Sequence, residues 1–577
     1  MRSLLRVALI GWIASAAFAG PKVASDMPRS TANGTLDVIV QYRSFAGAKS
    51  VEASGKVHRR FRSIPATHMT VPVSMLESLA SNPEVVYISP NRTASSLLDI
   101  TTQTVNANPL WSEGWDGTGI GVAVIDSGVA LQPDLAAKDG LHSRVVFSES
   151  FVRGLDASDQ YGHGTHVAGI VAANGSKSTG PNFTHTFKGV APNANIVNLR
   201  VLDANGNGQE SDVIAAIDET IALKDTYNIR VLNLSLGHPV YESFQLDPLC
   251  QALEAAWKAG ITVVVAAGNM GRDNSLGTMG YATINSPGND PYVITVGAMN
   301  ANGTPWRSDD KIASYSSKGP SLVDHVVKPD LVAPGNNVVS LLASPNCTLA
   351  TEHPNTLISA STYEKASLGL STDYFKLSGT SMATPVVSGA AALMLQEDPS
   401  LTPDAIKARL MKTASKQFAR YVTSTDKQLS GTFETQQDVF AVGAGYLDIK
   451  GALTNTDPVD FKALSPVAQY NAQTQTVTLE SADAVIWGDS PAQSDAVIWG
   501  DSTSSGGVWS NAVIWGDAIT ESDAVIWGDA VIWGDSTTQG FAVIWGDAVI
   551  WGDYSLQGVA LTWGSHAKAA SADDGDL

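Results

Sequence analysis

Through the middle of the chain, short apolar runs alternate with stretches of helical spacing. Ile120 to Ile125, Ile196 to Leu202, Val231 to Leu234, Ile261 to Ala266 and Val293 to Val296 are mostly apolar and short, which predicts buried strands. Between and after them, Ser211 to Leu223, Pro248 to Ala259, Ser381 to Gln396 and Pro403 to Thr413 carry helical periodicity. Alternating strands and helices with right-handed crossovers predict an α/β domain over residues 95–456, a parallel sheet sandwiched by helices. Such sheets place their sites at the carboxyl ends of the strands. The residues just after each run are therefore the candidates for chemistry.

The pattern differs on either side of this region. Residues 36–92 predict a small α/β unit, with strands at Leu36 to Val40 and Val85 to Ile88, a helix at Ser74 to Ala80, and a stop at Pro90. Residues 457–482 are polar and contain proline, which predicts a linker. In the tail, 483–577, Ala-Val-Ile-Trp-Gly-Asp occurs seven times, starting at Ala484, Ala496, Ala512, Ala524, Ala530, Ala542 and Ala548. The underlying period is even, so each copy has the same strand phase: Ala and Ile share one face, Val and Trp the other, and Gly-Asp turns. Two readings stay open, a β-rich stack (solenoid or meander) and a disordered tail.

The N-terminus has a different use. Arg2 and Arg6 precede an apolar run from Val7 to Phe18, and Ala17-Phe18-Ala19 suits cleavage before Gly20. Residues 1–19 are expected to be an export signal, making the protein secreted. The run is shorter than the roughly 20 apolar residues that span a bilayer, and no later stretch qualifies, so no transmembrane anchor is expected.

Composition narrows the functions. The 577 residues, 44% hydrophobic, suffice for more than one core. A net charge of −20 disfavours nucleic-acid binding, which needs Lys and Arg against phosphate. Most of that charge lies in the tail: from Pro466 onward, 15 acidic residues face one Lys. Cys250 and Cys347 could pair, but sequence gives no distance between them, and two thiols are too few for a Cys-based zinc site.

Four motifs carry candidate chemistry. In Gly119-Ile120-Gly121-Val122-Ala123-Val124-Ile125-Asp126-Ser127-Gly128, Asp126 follows a buried strand, where it can orient an imidazole or simply open a turn. In Tyr161-Gly162-His163-Gly164-Thr165-His166-Val167-Ala168-Gly169, His163 is a candidate general base. His163 and His166 could instead bind metal, but the Glu of the helical metalloprotease motif is missing. In Leu377-Ser378-Gly379-Thr380-Ser381-Met382-Ala383-Thr384-Pro385, Ser381 stands at a helix start, where free N–H groups suit an oxyanion or where it caps the helix. In Val263-Val264-Val265-Ala266-Ala267-Gly268-Asn269, Asn269 follows a strand and could donate to an oxyanion or form a turn.

Together, and in the order Asp, His, Ser, these strings resemble the subtilisin family of serine proteases, whose chain order is the same. The likeness covers residues 95–456 and implies a serine endopeptidase acting through an acyl-enzyme. It implies Ser381 as nucleophile, His163 as base and then acid, Asp126 as its orienting partner, and Asn269 with the Ser381 N–H as oxyanion donors. His166 falls at the family's second, non-catalytic histidine. Leu234, Ser235, Leu236 and Gly237 match the strand that pairs with substrate backbone, and Ala266, Ala267 and Gly268 match one wall of the first specificity pocket. Small residues there imply broad specificity for protein or peptide substrates. Residues 20–94, including 36–92, resemble an inhibitor-type propeptide, an intramolecular inhibitor cut away near Ser95. A monomer is expected.

Two stretches depart from the family pattern. The segment from Val339 to Lys376 is longer than the compact form, and Ser176 to Lys188 lacks the familiar calcium-loop sequence. Asp134 matches a calcium ligand, so structural calcium is expected without an evident ligand set. The rival reading of the whole chain is a catalytically idle surface or binding protein that works through its repeats.

Overall fold

The computed structural model describes residues 22–24, 27, 34–61, 65–90, 97–275, 277–419, 421–425, 431–471 and 476–480, and the dipeptides 526–527 and 544–545. The chain divides into two compact units, up to Ala94 and from Ser95.

The first unit is an antiparallel sheet of β1 (Thr35–Tyr42), β2 (Lys56–Arg60), β3 (Ala66–Pro72) and β4 (Val85–Pro90) in the order β2-β3-β1-β4. Leu36, Val38, Val40 and Tyr42 alternate inward along β1 and share a core with Val51, Met69, Val71, Leu79, Val85 and Ile88. The helix predicted at Ser74 to Ala80 is present at Leu76–Ser81. β2 and β3 were not legible. β2 is a mostly exposed edge, Lys-Val-His-Arg-Arg, of the kind that discourages further pairing. The alternation of β3 is hidden by Thr and His between its buried positions.

The second unit is built on an eight-stranded sheet. Its strands are β5 (Gly121–Asp126), β6 (Val145–Ser150), β7 (Asn195–Arg200), β8 (Ile229–Leu234), β9 (Thr262–Ala266), β10 (Ile294–Asn300), β11 (Lys311–Ile312) and β12 (Leu331–Pro334). They run in the order β11-β10-β9-β8-β5-β7-β6, with β12 also pairing β10. Every pair is parallel except β10 with β11. The mainly parallel sheet flanked by helices is the predicted class. The central strands β5 and β9 are buried at every position, which is why they read as continuous apolar runs.

β5 lies between β7 and β8, so the chain leaves it in one direction to build one half of the sheet and returns to build the other. The loops at its carboxyl end therefore diverge and leave room for a site. Helices His163–Ala172 and Thr380–Glu397 pack on each other close to that end.

The long stretch after β12 is built into the packed fold. β13 (Val338–Leu341), β14 (Leu357–Ser359) and β15 (Leu370–Leu377) form a small antiparallel sheet in the order β13-β15-β14. Leu349, Tyr363, Tyr374 and Phe375 from this stretch join the main core.

The stretch predicted as a linker is also partly built in. Ala463, Ser465 and Ala468 are buried, Val327 N–H donates to the Pro466 carbonyl at 2.8 Å, and Val467–Asn471 pairs with Thr476–Glu480 as a hairpin. The repeats lie outside the described residues apart from two dipeptides. These pair in parallel, Ile526 with Ile544 and Trp527 with Trp545.

Candidate active site

Asp126 ends β5 and is 1% exposed. One of its oxygens accepts the Ser127 N–H at 2.7 Å, which holds the carboxylate at the strand end. His163 opens the helix His163–Ala172, and its Nδ1 lies 2.8 and 3.0 Å from the two Asp126 oxygens. A ring nitrogen facing a carboxylate carries the proton, so Nε2 is left as the acceptor. Gly164 makes this approach possible. A Cβ there would sit 2.2 Å from the Gly128 carbonyl and 3.1 Å from the Asp126 Cβ. Burial opposes a charged ring at His163. The Asp126 carboxylate, its hydrogen bond and the charge of Asp159 outweigh that and raise the His163 pKa above the ordinary value.

His166 behaves differently. Its Nε2 lies 3.0 Å from the Val338 carbonyl, its ring meets Phe375 edge-on, and burial first, then the neighbouring His163, push its pKa down to about 3. It is a neutral core histidine. Among the described residues no group of three or more His, Cys, Asp or Glu could hold a metal ion, and His166 Nε2 is engaged by the Val338 carbonyl.

Ser381 is the second residue of the helix Thr380–Glu397 and is 6% exposed. Its hydroxyl donates to the Ser235 carbonyl at 3.0 Å, and the Ser235 hydroxyl donates back to the Ser381 carbonyl at 3.1 Å. Pro385 explains the second bond. Having no N–H, it cannot bond the carbonyl four residues earlier, which is that of Ser381. The helix thus starts tied to the end of β8. The Ser381 proton faces the Ser235 carbonyl.

Asn269 follows β9. Its Oδ1 accepts from the Thr380 N–H at 2.9 Å and the Thr380 hydroxyl at 3.1 Å. That hydroxyl in turn accepts the Gly268 N–H at 3.1 Å. The amide is therefore locked by its oxygen. A Cβ on Gly379, whose φ is 155°, would lie 3.2 Å from Asn269 Nδ2 and 3.7 Å from the Ser381 nitrogen. Two nitrogens thus border one small space, and a side chain at Gly379 would enter it.

The sequence matches the subtilase family over residues 117–445. It is 38% identical over 376 residues to serine protease AprX of Bacillus subtilis, covering 63% of this chain and 77% of that protein. Subtilisin E of the same organism is 33% identical over 368 residues, 63% of this chain and 79% of that protein. A thermostable alkaline protease of Halalkalibacterium halodurans is 32% identical over 420 residues, 72% of this chain and 94% of that protein. The chain belongs to the subtilase family. As a subtilase it is a serine endopeptidase.

The residues expected along the substrate differ in exposure. Leu236 and Gly237 are half buried, and His238 pairs with Ser286 in an isolated antiparallel bridge. Leu234 and Ala267 are fully buried core residues, and Ser235, Ala266 and Gly268 are buried too. The Leu234 and Ala267 side chains therefore belong to the core.

The structural calcium expected of a subtilase at Asp134 does not fit the residues present. Asp134 is fully buried, and protein donors already fill its carboxylate: the Ser176 hydroxyl at 2.7 Å, the Lys177 N–H at 2.8 Å and the Tyr374 hydroxyl at 2.6 Å. Arg144 adds positive charge, donating to the Asp134 carbonyl at 2.8 Å and to the last carbonyl of the His163 helix, that of Ala172, at 2.6 Å. The two stretches that depart from the family pattern supply these groups together, since Ser176 and Lys177 belong to one and Tyr374 to the other. They also pack on each other, with the Phe183 and Tyr363 rings stacked 6.2 Å apart. Tyr374→Phe should leave the buried carboxylate a donor short and cost about 1–3 kcal/mol. Thermal unfolding should show the same loss in added calcium and in excess chelator.

Cys250 and Cys347 are free and buried, so the open question of pairing is answered by two thiols. Burial raises both thiol pKa values and keeps them neutral. Sequence reasoning missed the groups that hold the site: Ser127, Asp159, Thr165 and Thr380. Thr380 stood in plain view beside Ser381, but its role depends on Asn269, 111 residues away.

Proposed function

We propose that Ser381 is the nucleophile of this endopeptidase, His163 its base and Asp126 the group that orients the base. The observation that carries this is the His163 Nδ1 held on both oxygens of the buried Asp126, which leaves Nε2 to take a proton. As Ser381 Oγ attacks a peptide carbonyl carbon, its proton passes to Nε2. The imidazolium is stabilised by the Asp126 charge. The carbonyl oxygen becomes an oxyanion beside Asn269 Nδ2 and the Ser381 N–H. Collapse breaks the C–N bond while His163 gives the proton to the leaving amine, and an acyl-enzyme remains. Water then enters, gives a proton to His163, and the acyl bond is hydrolysed.

The substrate reading is an extended peptide beside residues 234–237, with 266–268 behind the first pocket and broad specificity. The protein is read as exported by residues 1–19, with 20–94 as a propeptide that inhibits until removed. In support, the compact units divide at Ala94 and Ser95, near the expected cut. Among the described residues no helix is long and apolar enough to cross a membrane. The mature enzyme is read as a monomer.

The test is hydrolysis of casein and of a peptide library by the secreted protein, with mass spectrometry locating an active-site serine reagent on Ser381. Absence of both activity and labelling would favour the idle binding protein. Asn269→Ala should lower kcat by about 100- to 1,000-fold, the measured scale for this donor in subtilisin, with little change in KM. Steady-state kinetics on one peptide amide would check this.

A further inference from the structure

The loop before the His163 helix ends in Asp159-Gln160-Tyr161-Gly162, and Asp159 is only 7% exposed. Its carboxylate accepts four hydrogen bonds. One oxygen takes the Ser127 hydroxyl at 2.9 Å and the Gly162 N–H at 2.6 Å. The other takes the Thr165 N–H at 2.9 Å and the Thr165 hydroxyl at 2.7 Å. Both hydroxyls pass the connection on: Ser127 Oγ accepts the Gly164 N–H at 2.9 Å, and Thr165 Oγ1 accepts the Ala130 N–H at 2.9 Å. Every one of these groups lies in the turn after Asp126, at the Gly162 cap or in the first turn of the His163 helix. An aspartate at a helix N-terminus is an ordinary cap. This one also bonds a second segment, the one that carries the partner of His163.

We propose that Asp159 is a positioning residue for the reaction: its buried carboxylate clasps the turn that follows Asp126 to the helix start that carries His163. The proposal rests on the reading of Asp126 and His163 as the working pair. The clasp fixes the pair from behind, since it bonds the residues beside Asp126 and on both sides of His163 without touching either side chain. Burial raises the Asp159 pKa, but all four partners are donors and suit the ionised carboxylate, whose charge acts on His163 as well. The titratable groups facing His163 are Asp126 from β5, Asp159 and Tyr161 from the loop and His166 from its own helix. Asp159 faces Arg200 of β7 and Cys347 in turn. Arg200 Nη1 donates to the carbonyls of Asp156 and Ser158 at 2.9 and 2.6 Å, which holds a positive charge under the loop.

Asp159→Asn presents an NH₂ to donors that now meet an oxygen, and it removes the charge. The expected result is a kcat lower by about 100-fold, the scale of an ångström-size misplacement of a catalytic group. KM should stay within a few-fold. Losing a negative charge beside His163 makes its proton easier to remove, so the acid limb of the kcat/KM profile moves to lower pH. The double variant Ser127→Ala with Thr165→Val keeps the charge and removes two of the four donors. Its kcat should fall about 10-fold with the acid limb in place. Wild-type kcat in either variant overturns the proposal, and so does a fall in Asp159→Asn with the limb unmoved, which is a purely structural effect. If Asp159→Asn does not fold, the double variant decides. A wild-type protein that cleaves no peptide and takes no serine reagent would sink the underlying reading instead.

Discussion

Ser381→Ala should lower kcat on the order of a million-fold, the scale found when the subtilisin nucleophile is removed, and should abolish labelling by a serine reagent. The size follows from the chemistry. Without Oγ no acyl-enzyme can form, and what remains is water attack helped by the oxyanion donors and by substrate binding. The substitution is gentle on the fold. Ser381 Oγ gives one hydrogen bond, to the Ser235 carbonyl, while the Ser235 hydroxyl still holds the helix start through the Ser381 carbonyl. The loss should be about 1 kcal/mol, and KM should hardly move. A circular dichroism melt beside the kinetics separates lost chemistry from lost structure. The same variant bears on maturation. If residues 20–94 are removed by the enzyme itself, Ser381→Ala accumulates as the longer form, and a mass spectrum of the secreted protein shows it. Cleavage at wild-type rate in the purified variant would mean that another protease makes the cut, or that Ser381 is not the nucleophile.

What could be read from the sequence, and what could not, follows from distance along the chain. Asp126 and Asn269 were legible because each follows a fully buried parallel strand, whose apolar run is unmistakable and whose end is a known place for sites. Ser381 was legible because a glycine and a long helical pattern follow one another there. Leu234 and Ala267 were read from matching strings as part of a backbone-pairing strand and a pocket wall, and a string does not say how deep a side chain lies. Both side chains are fully buried. Tyr374 and Ser465 were illegible for a common reason. Each is a polar residue in a stretch that looks solvated, and each bonds a buried partner far away in sequence. Tyr374 meets Asp134 across 240 residues, and Ser465 meets Asp330 across 135. Periodicity reports what an element buries, and it is silent about single polar groups that a distant segment covers.

Asp330→Asn should destabilise the catalytic unit by about 3–5 kcal/mol, the largest stability effect expected of a single change here. Asp330 is 1% exposed, beside the fully buried Lys328 and Lys407. Lys328 Nζ donates to it at 2.8 Å, Lys407 Nζ lies 3.3 Å away, the Thr295 N–H donates at 2.7 Å, and the Ser465 hydroxyl donates at 2.5 Å. Burial alone would raise its pKa, but the two lysine charges and the bonds from Lys328 and Ser465 outweigh it and hold Asp330 below the usual carboxylate value. Burial in turn pushes Lys407 down to about 7. A carboxylate with a lowered folded pKa contributes stability above its unfolded value, near 3.8, and loses it as the pH falls through the folded value. The wild type should therefore lose stability on acidification below about pH 4, and Asp330→Asn should show less of that loss because the titrating group is gone. Replacing all three charged residues by apolar ones is not expected to restore the fold fully. Lys407 Nζ also bonds the carbonyls of Pro291, Tyr292 and Val293, and all three would lose that donor, Pro291 alone keeping the Ser465 N–H. The clasp on Ser465 gives a second readout. It fixes the segment leading to the hairpin Val467–Asn471, so its loss should open a cleavage site near residues 463–468. Limited proteolysis by an added protease, in the Ser381→Ala background so that self-cleavage is absent, would reveal it. An Asp330→Asn protein that melts with the parent and resists cleavage there would show that the buried charges are independent of the fold they sit in.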